Sequence, residues 1–216
     1  MGRASPARCA AENCGLQERI GKAITIIKYK KMDIIYVFLA TGFEDVEALG
    51  FVDVCRRANL PVCMVSVTGD KVVSSAHNVG IVADALFDDI DFSDACLLYL
   101  PGGMPGATNL DNHTGLRGLI MQHYESGKPL AAICAAPLVY GNLGLLEGKN
   151  ATCYPGFEDY LTGAKTTGEL VVHDGQFFLG KGPAAVLQLS YEIVAYFCGQ
   201  DVADEICKGM LYPEIF

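Results

Sequence analysis

Short, uninterrupted apolar runs alternate with amphipathic segments along most of the chain. Residues 33–40 (DIIYVFLA), 62–67 (VCMVSV), 95–100 (ACLLYL) and 129–134 (PLAAIC) have strand length and are bounded by Gly, Pro or Asp. They carry too few polar positions to leave one face in water, which predicts parallel strands covered on both sides. Residues 46–59 (VEALGFVDVCRRAN), 114–127 (TGLRGLIMQHYESG) and 184–199 (AAVLQLSYEIVAYFCG) instead repeat apolar positions at helical spacing and end near Gly or Asn. DKVVSS with NVGIVAD, and LVVHDGQFFLG around its Asp-Gly pair, predict two hairpins. The sum is an α/β domain with a mostly parallel central sheet and helices on both faces.

The length of 216 residues suits one such domain. Charge divides the chain unevenly: residues 1–31 hold seven of the 16 Lys/Arg and two of the 25 acidic residues, leaving nine basic against 23 acidic from Met32 onward. Residues 1–31 are therefore read as an extension, either a disordered arm, an organelle-targeting segment (against which Glu12 and Glu18 count) or, as preferred, sequence upstream of a functional start at Met32, and 32–216 as the domain. An acidic body repels phosphate backbones, which argues against nucleic-acid binding. No run approaches the roughly 20 apolar residues of a membrane span, and the nine cysteines form no CxxC pair or Cys/His metal spacing. A cytoplasmic, reducing setting follows as the expectation, with neither metal nor organic cofactor.

In a sheet of this kind ligands bind just past the carboxyl ends of the strands. Cys134 falls there, in LAAICAAP, where strand gives way to helix. A sharp turn of the nucleophile-elbow kind would lift its thiol from the sheet, and the helix N-terminus behind it would favour thiolate. The Pro-Gly-Gly of LPGGMPG allows close backbone approach, so the Gly103 and Ala135 amides are candidates for a two-donor oxyanion pocket. In TGFEDVEA, Glu44 and Asp45 suit the positive end of a helix, while Glu47, one turn on, could face the same strand ends. A glutamate beside a thiolate tends to hold its proton and can serve as general acid and base. Of the histidines, His113, His123 and His173 are expected at the surface.

LATGFEDVEA, VCRRANLPVCMVSV, LPGGMPGATNL, LAAICAAP, TCYPGFEDYL and GKGPAAVLQLSYEIV, taken in this order over residues 32–212, resemble the ThiJ/PfpI superfamily. The resemblance implies a flavodoxin-like three-layer sandwich, a homodimer, Cys134 as an oxidisable nucleophile, Glu47 as its acid/base partner and Gly103 with Ala135 as the amide pair. Gly102, Tyr154 and His77 would line the substrate pocket, His77 from a hairpin position where relatives carry a basic residue. The implied activity is cofactor-free conversion of a small 2-oxoaldehyde to a 2-hydroxy acid, or deglycation of glycated thiols and amines. The alternative is a redox sensor or holdase chaperone acting through oxidation of Cys134. Two departures stand out: Tyr154 occupies a place where many relatives have His, and Ala135 a place where the peptidases have one. A Cys-His dyad is missing at both, which argues against a peptidase. A phenol at 154 can donate a hydrogen bond but is a poor base, leaving proton transfer to Glu47.

Overall fold

The computed structural model describes residues 33–214; the expectation for residues 1–31 lies outside them. The four apolar runs form β1 (Ile34–Leu39), β2 (Val62–Ser66), β6 (Ala95–Leu100) and β7 (Leu130–Ile133), with β3 (Val72–Ser74), β4 (Gly80–Val82) and β5 (Ala85–Leu86) between β2 and β6. Farther on lie β8 (Asn150–Ala151), β9 (Lys165–Thr166), β10 (Val171–Asp174) and β11 (Phe177–Gly180). The helices are α1 (Asp45–Arg57), α2 (Gly106–Asn112), α3 (Thr114–Glu125), α4 (Pro137–Asn142), α5 (Val186–Cys198) and α6 (Gln200–Gly209).

Seven strands make the central sheet in the order β10-β11-β7-β6-β1-β2-β5. Every pairing is parallel except that of β10 with β11, the hairpin closed at Gly175. The other predicted hairpin, β3 with β4, stands apart as a two-stranded ribbon. The helix expected behind Cys134 is α4; sequence reading missed α2 and the two-residue strands, which are too short to carry a clear period, and passed over α6 although its apolar positions do recur at helical spacing.

Alternation along β1 shows why the runs had to be apolar throughout. Tyr36 and Phe38 pack among Leu110, Leu116, Ile120 and Tyr140 of α2, α3 and α4. Ile35, Val37 and Leu39 face the other way, against Phe51 and Val52 of α1 and Leu189 and Ile193 of α5. The result is a three-layer α/β sandwich whose strands are buried on both faces. None of the helices among the described residues is long and apolar enough to cross a membrane.

His123 corrects a surface expectation. It lies on the α3 face that also carries Leu116 and Ile120, is 4% exposed, and its Nε2 donates to the Pro129 carbonyl at 3.0 Å. Burial pushes its imidazole down to about 4. His113 accepts from the Leu116 amide as the N-cap of α3, and His173 is exposed.

Candidate functional site

Cys134 follows β7 directly and has φ 64°, a left-handed conformation that few non-glycine residues adopt. The Cys134 amide donates to Gly180 O at 2.9 Å, and its carbonyl accepts from the Tyr154 amide at 2.8 Å. These bonds tie the strained residue to β11 on one side and to the segment after β8 on the other. Such strain persists only where surrounding structure enforces it.

Glu47 reaches the same place from the first turn of α1. Glu44 caps that helix, its Oε2 accepting the Glu47 amide at 2.7 Å. The Glu47 carboxyl is fully buried. Its Oε2 accepts the Gly102 amide at 2.8 Å, while its Oε1 is buried without a hydrogen-bond partner among the described residues, and the neighbouring Cys134 side chain acts to lower its pKa. Tyr99, on β6, donates its buried hydroxyl to the Glu47 backbone carbonyl at 2.8 Å and stacks on Phe51 of α1, ring centroids 3.8 Å apart. Sequence reasoning passed over Tyr99. The signal was there, since a tyrosine inside an otherwise apolar run must find its hydroxyl a partner.

The loop after β6 supplies three functions from adjacent glycines and their neighbours. Gly102 holds Glu47, and any side chain there would collide: a Cβ would stand 2.6 Å from Cys134 Cβ and 2.7 Å from Glu47 Oε2. Gly103 has φ 88°, and its amide, with that of Ala135, meets the Cys134 sulfur. The structure thus brings Cys134, Glu47, Gly102, Gly103 and Ala135 together.

Electrostatics differ from the sequence expectation at one point. Burial pushes the Glu47 carboxyl up to about 7, partly offset by its hydrogen bonds with Cys134 and Gly102. Burial also pushes the Cys134 thiol up to about 12; the Glu47 charge and hydrogen bond add to this, and the Gly103 and Ala135 amides oppose it. Burial and the neighbouring Glu47 thus act against the low-pKa thiolate expected at Cys134, the two amides act toward it, and the Glu47 carboxyl is raised. The helix behind Cys134, α4, has six residues and begins three positions later, so its dipole cannot outweigh burial and a neighbouring carboxylate.

Tyr154 stands beside this centre with its side chain half in solvent and its ring against Gly182. His77 is set apart: its exposed imidazole pairs with Asp45, Nδ1 to Oδ2 at 2.5 Å, at the outer side of the first turn of α1. That contact pushes the His77 pKa up. Burial raises the Asp45 carboxyl, but hydrogen bonds with Ser75 and His77 outweigh it and hold the group below its usual range. Glu44, Asp45 and His77 place potential ligand atoms within 4.8 Å of one another, but Glu44 already caps α1 and the other two pair together.

Comparison with known proteins agrees with this architecture. A DJ-1/PfpI family profile matches residues 33–196. Protein DJ-1 homolog B of Arabidopsis thaliana is 37% identical over 174 residues, covering 80% of this chain and 40% of its own. Protein dj-1beta of Drosophila melanogaster is 32% identical over 81% of this chain and 95% of its own. The chain spans less than half the length of the Arabidopsis homologs B and A. Among solved structures, Drosophila DJ-1beta superposes with a TM-score of 0.78 at 28% identity, covering 83% of this chain and 97% of that one. An oxidized DJ-1 of Toxoplasma gondii gives 0.79 at 28% identity, covering 82% and 97%. The sandwich is accordingly flavodoxin-like.

Proposed function

The chain belongs to the DJ-1/PfpI family, and from that premise we propose that it is a cytoplasmic, cofactor-free stress-response protein that consumes reactive 2-oxoaldehydes through Cys134. The observation that carries this reading is the fully buried Glu47 carboxyl, raised by burial and packed with Cys134 around Gly102 at the end of β7. A base poised near the working pH is what general acid/base catalysis needs.

The steps follow from that pair. Ionised Glu47 takes the thiol proton as sulfur bonds to the aldehyde carbon, and the proton passes to the aldehyde oxygen, giving a hemithioacetal. The Gly103 and Ala135 amides are the donors available to that oxygen while it carries charge. Glu47 then removes the proton on the sulfur-bearing carbon and returns it to the adjacent carbon, while the hydroxyl proton on the first carbon's oxygen passes to the neighbouring carbonyl oxygen through the enediol, leaving a 2-hydroxy thioester. Water cleaves the thioester, releasing the 2-hydroxy acid and restoring the thiol. The net change adds one water to the 2-oxoaldehyde, with no external oxidant or reductant. Tyr154 can donate a hydrogen bond at the mouth of this site but takes no proton.

Lactate formation from methylglyoxal tests the reading. Repeated turnover by wild type, abolished in both Cys134→Ser and Glu47→Gln, supports it; equal lactate from wild type and Cys134→Ser overturns it. A second reading, oxidation of Cys134 to sulfinic acid by peroxide, is favoured by the same two amides, which could bind the sulfinate oxygens. One structural neighbour was itself solved oxidized. A gain in intact mass at Cys134 under mild peroxide, without aldehyde turnover, would select it. A homodimer belongs to the proposal as well. Val46 and Leu49 of α1 and Val72, Val79 and Val82 of the β3–β4 hairpin expose apolar side chains that a second copy would cover. Light scattering of wild type beside Val72→Glu tests it, and a monomeric wild type would overturn it.

A further inference from the structure

We propose that the cavity between α5, α6 and the β10–β11 hairpin binds a small organic ammonium ion. The cavity measures about 410 Å³, within the range of roughly 300–1,000 Å³ that small-molecule sites occupy. None of its lining residues belongs to the Cys134 centre. Phe178, in its wall, pairs with Ala131 near the start of β7, whereas Cys134 follows the end of that strand.

The lining has two properties that together select a cation. The first is an aromatic corner. The His173 ring stacks on the buried Phe178 ring at 3.8 Å and 16°, and the Tyr196 ring stands at 87° to it with centroids 6.3 Å apart. Tyr196 also meets Phe178 edge-on at 5.3 Å, so the corner is anchored on a core residue. Two ring planes meeting at a right angle offer the Tyr196 face and, when the imidazole is neutral, the face of His173 turned away from Phe178 to one compact charge.

The second property is unbalanced negative charge. Glu192 and Asp204 both line the cavity, and neither Lys nor Arg does. Each carboxylate is met by an amide: Gln188 Nε2 donates to Glu192 at 3.3 Å and Gln200 Nε2 to Asp204 at 2.7 Å. Burial pushes the Glu192 carboxyl up, opposed by its hydrogen bond with Gln188 and by the nearby His173, the one basic side chain in the lining. Glu192 lies one helical turn before Tyr196 on α5, which puts carboxylate and ring side by side. A bound ammonium would satisfy both carboxylates and both ring faces at once. A neutral guest of the same shape would satisfy neither.

Choline and its neutral isostere 3,3-dimethylbutan-1-ol test this directly, titrated into the full chain near neutral pH and followed by amide chemical shifts. Choline is expected to shift residues lining the cavity and to bind at least about tenfold more tightly than the isostere. Glu192→Gln and Tyr196→Ala are each expected to weaken it about tenfold or more. Both side chains are at least partly exposed, and the variants should keep the wild-type unfolding midpoint. Cys134→Ser should bind choline as wild type does, which separates this site from the aldehyde chemistry. Absence of shifts up to about 20 mM choline, a fit far weaker than millimolar, overturns the proposal. Equal binding of the isostere, or binding unchanged in Glu192→Gln, does so too.

Discussion

Gly102→Ala probes the closest approach in the Cys134 centre. The added methyl would stand 2.6 Å from Cys134 Cβ, 2.7 Å from Glu47 Oε2 and 2.8 Å from the Ile133 carbonyl oxygen, where unstrained carbon contacts need about 3.5–4.0 Å. Only the Glu47 atom ends a flexible side chain, so relief requires a shift of about 1 Å between the loop after β6 and the end of β7. Overpacking of this sort costs about 1–3 kcal/mol. Moving Gly102 also weakens the 2.8 Å bond from its amide to Glu47, a bond to a charged group worth about 1.5–3 kcal/mol. Because both losses arise from one displacement they overlap, and about 3 kcal/mol in total is expected. A 1 Å misplacement of reacting groups also lowers turnover by about a hundredfold. Urea unfolding and methylglyoxal turnover read the two effects. Gly118→Ala is the matched control: it sits in the exposed interior of α3, where a Cβ meets nothing within 4 Å, and should gain about 0.5–1 kcal/mol. If Gly102→Ala unfolds within about 0.5 kcal/mol of wild type, the close packing of Gly102, Glu47 and Cys134 is refuted.

Two further predictions concern protons. Glu47→Gln removes both the charge and the hydrogen bond that raise the Cys134 thiol. Alkylation of Cys134 by iodoacetamide at mildly alkaline pH should therefore speed up about tenfold, while aldehyde turnover falls about a hundredfold or more; a fall in both would refute the arrangement. Glu47 keeps its proton to about 7 against an ordinary 4.5, so the folded state binds more protons across that window and stability declines as pH rises through it. His123 is held down to about 4 against 6.5, so there the unfolded state binds more protons and stability climbs with pH. Each effect is on the order of 3 kcal/mol and they oppose one another between about pH 5 and 6.5. Relative to wild type, urea midpoints should tilt upward with pH in Glu47→Gln and downward in His123→Gln; a tilt of the same sign in both variants would refute the assignment.

The fold was legible because its strands are buried on both faces. Apart from the hydroxyls of Tyr36 and Tyr99, DIIYVFLA and ACLLYL are apolar throughout β1 and β6, and only a doubly covered sheet makes that pattern economical to bury. Cys134 and Glu47 were legible from topology, since residues just past strand ends face the ligand side. The role of Gly102 was not, because its amide contact with Glu47 depends on a loop geometry that a Pro-Gly-Gly triplet does not specify. The resemblance sets His77 toward the pocket of a partner across the dimer; within this chain it pairs with Asp45, a partner that no local spacing links to it. Tyr99 and His123 show the reverse failure: the first was passed over and the second set at the surface, although a polar residue inside an apolar pattern is buried and compelled to find a partner.

The protonated thiol bears on the choice between turnover and sensing. A sensor cysteine reacts with peroxide as a standing thiolate, and such sites combine exposure with a depressed pKa. Cys134 is only 9% exposed and its thiol is pushed up to about 12, so the proposed turnover needs Glu47 to take the proton as the nucleophile forms. An aldehyde can be activated in that way, because its oxygen accepts the proton that Glu47 carries. Peroxide finds only a small thiolate fraction. Its rate of reaction with Cys134, followed by peptide mass, should therefore rise about tenfold per unit between roughly pH 7 and 9. A plateau already reached near pH 7 would mean a standing thiolate, and would move the reading from aldehyde turnover toward redox sensing.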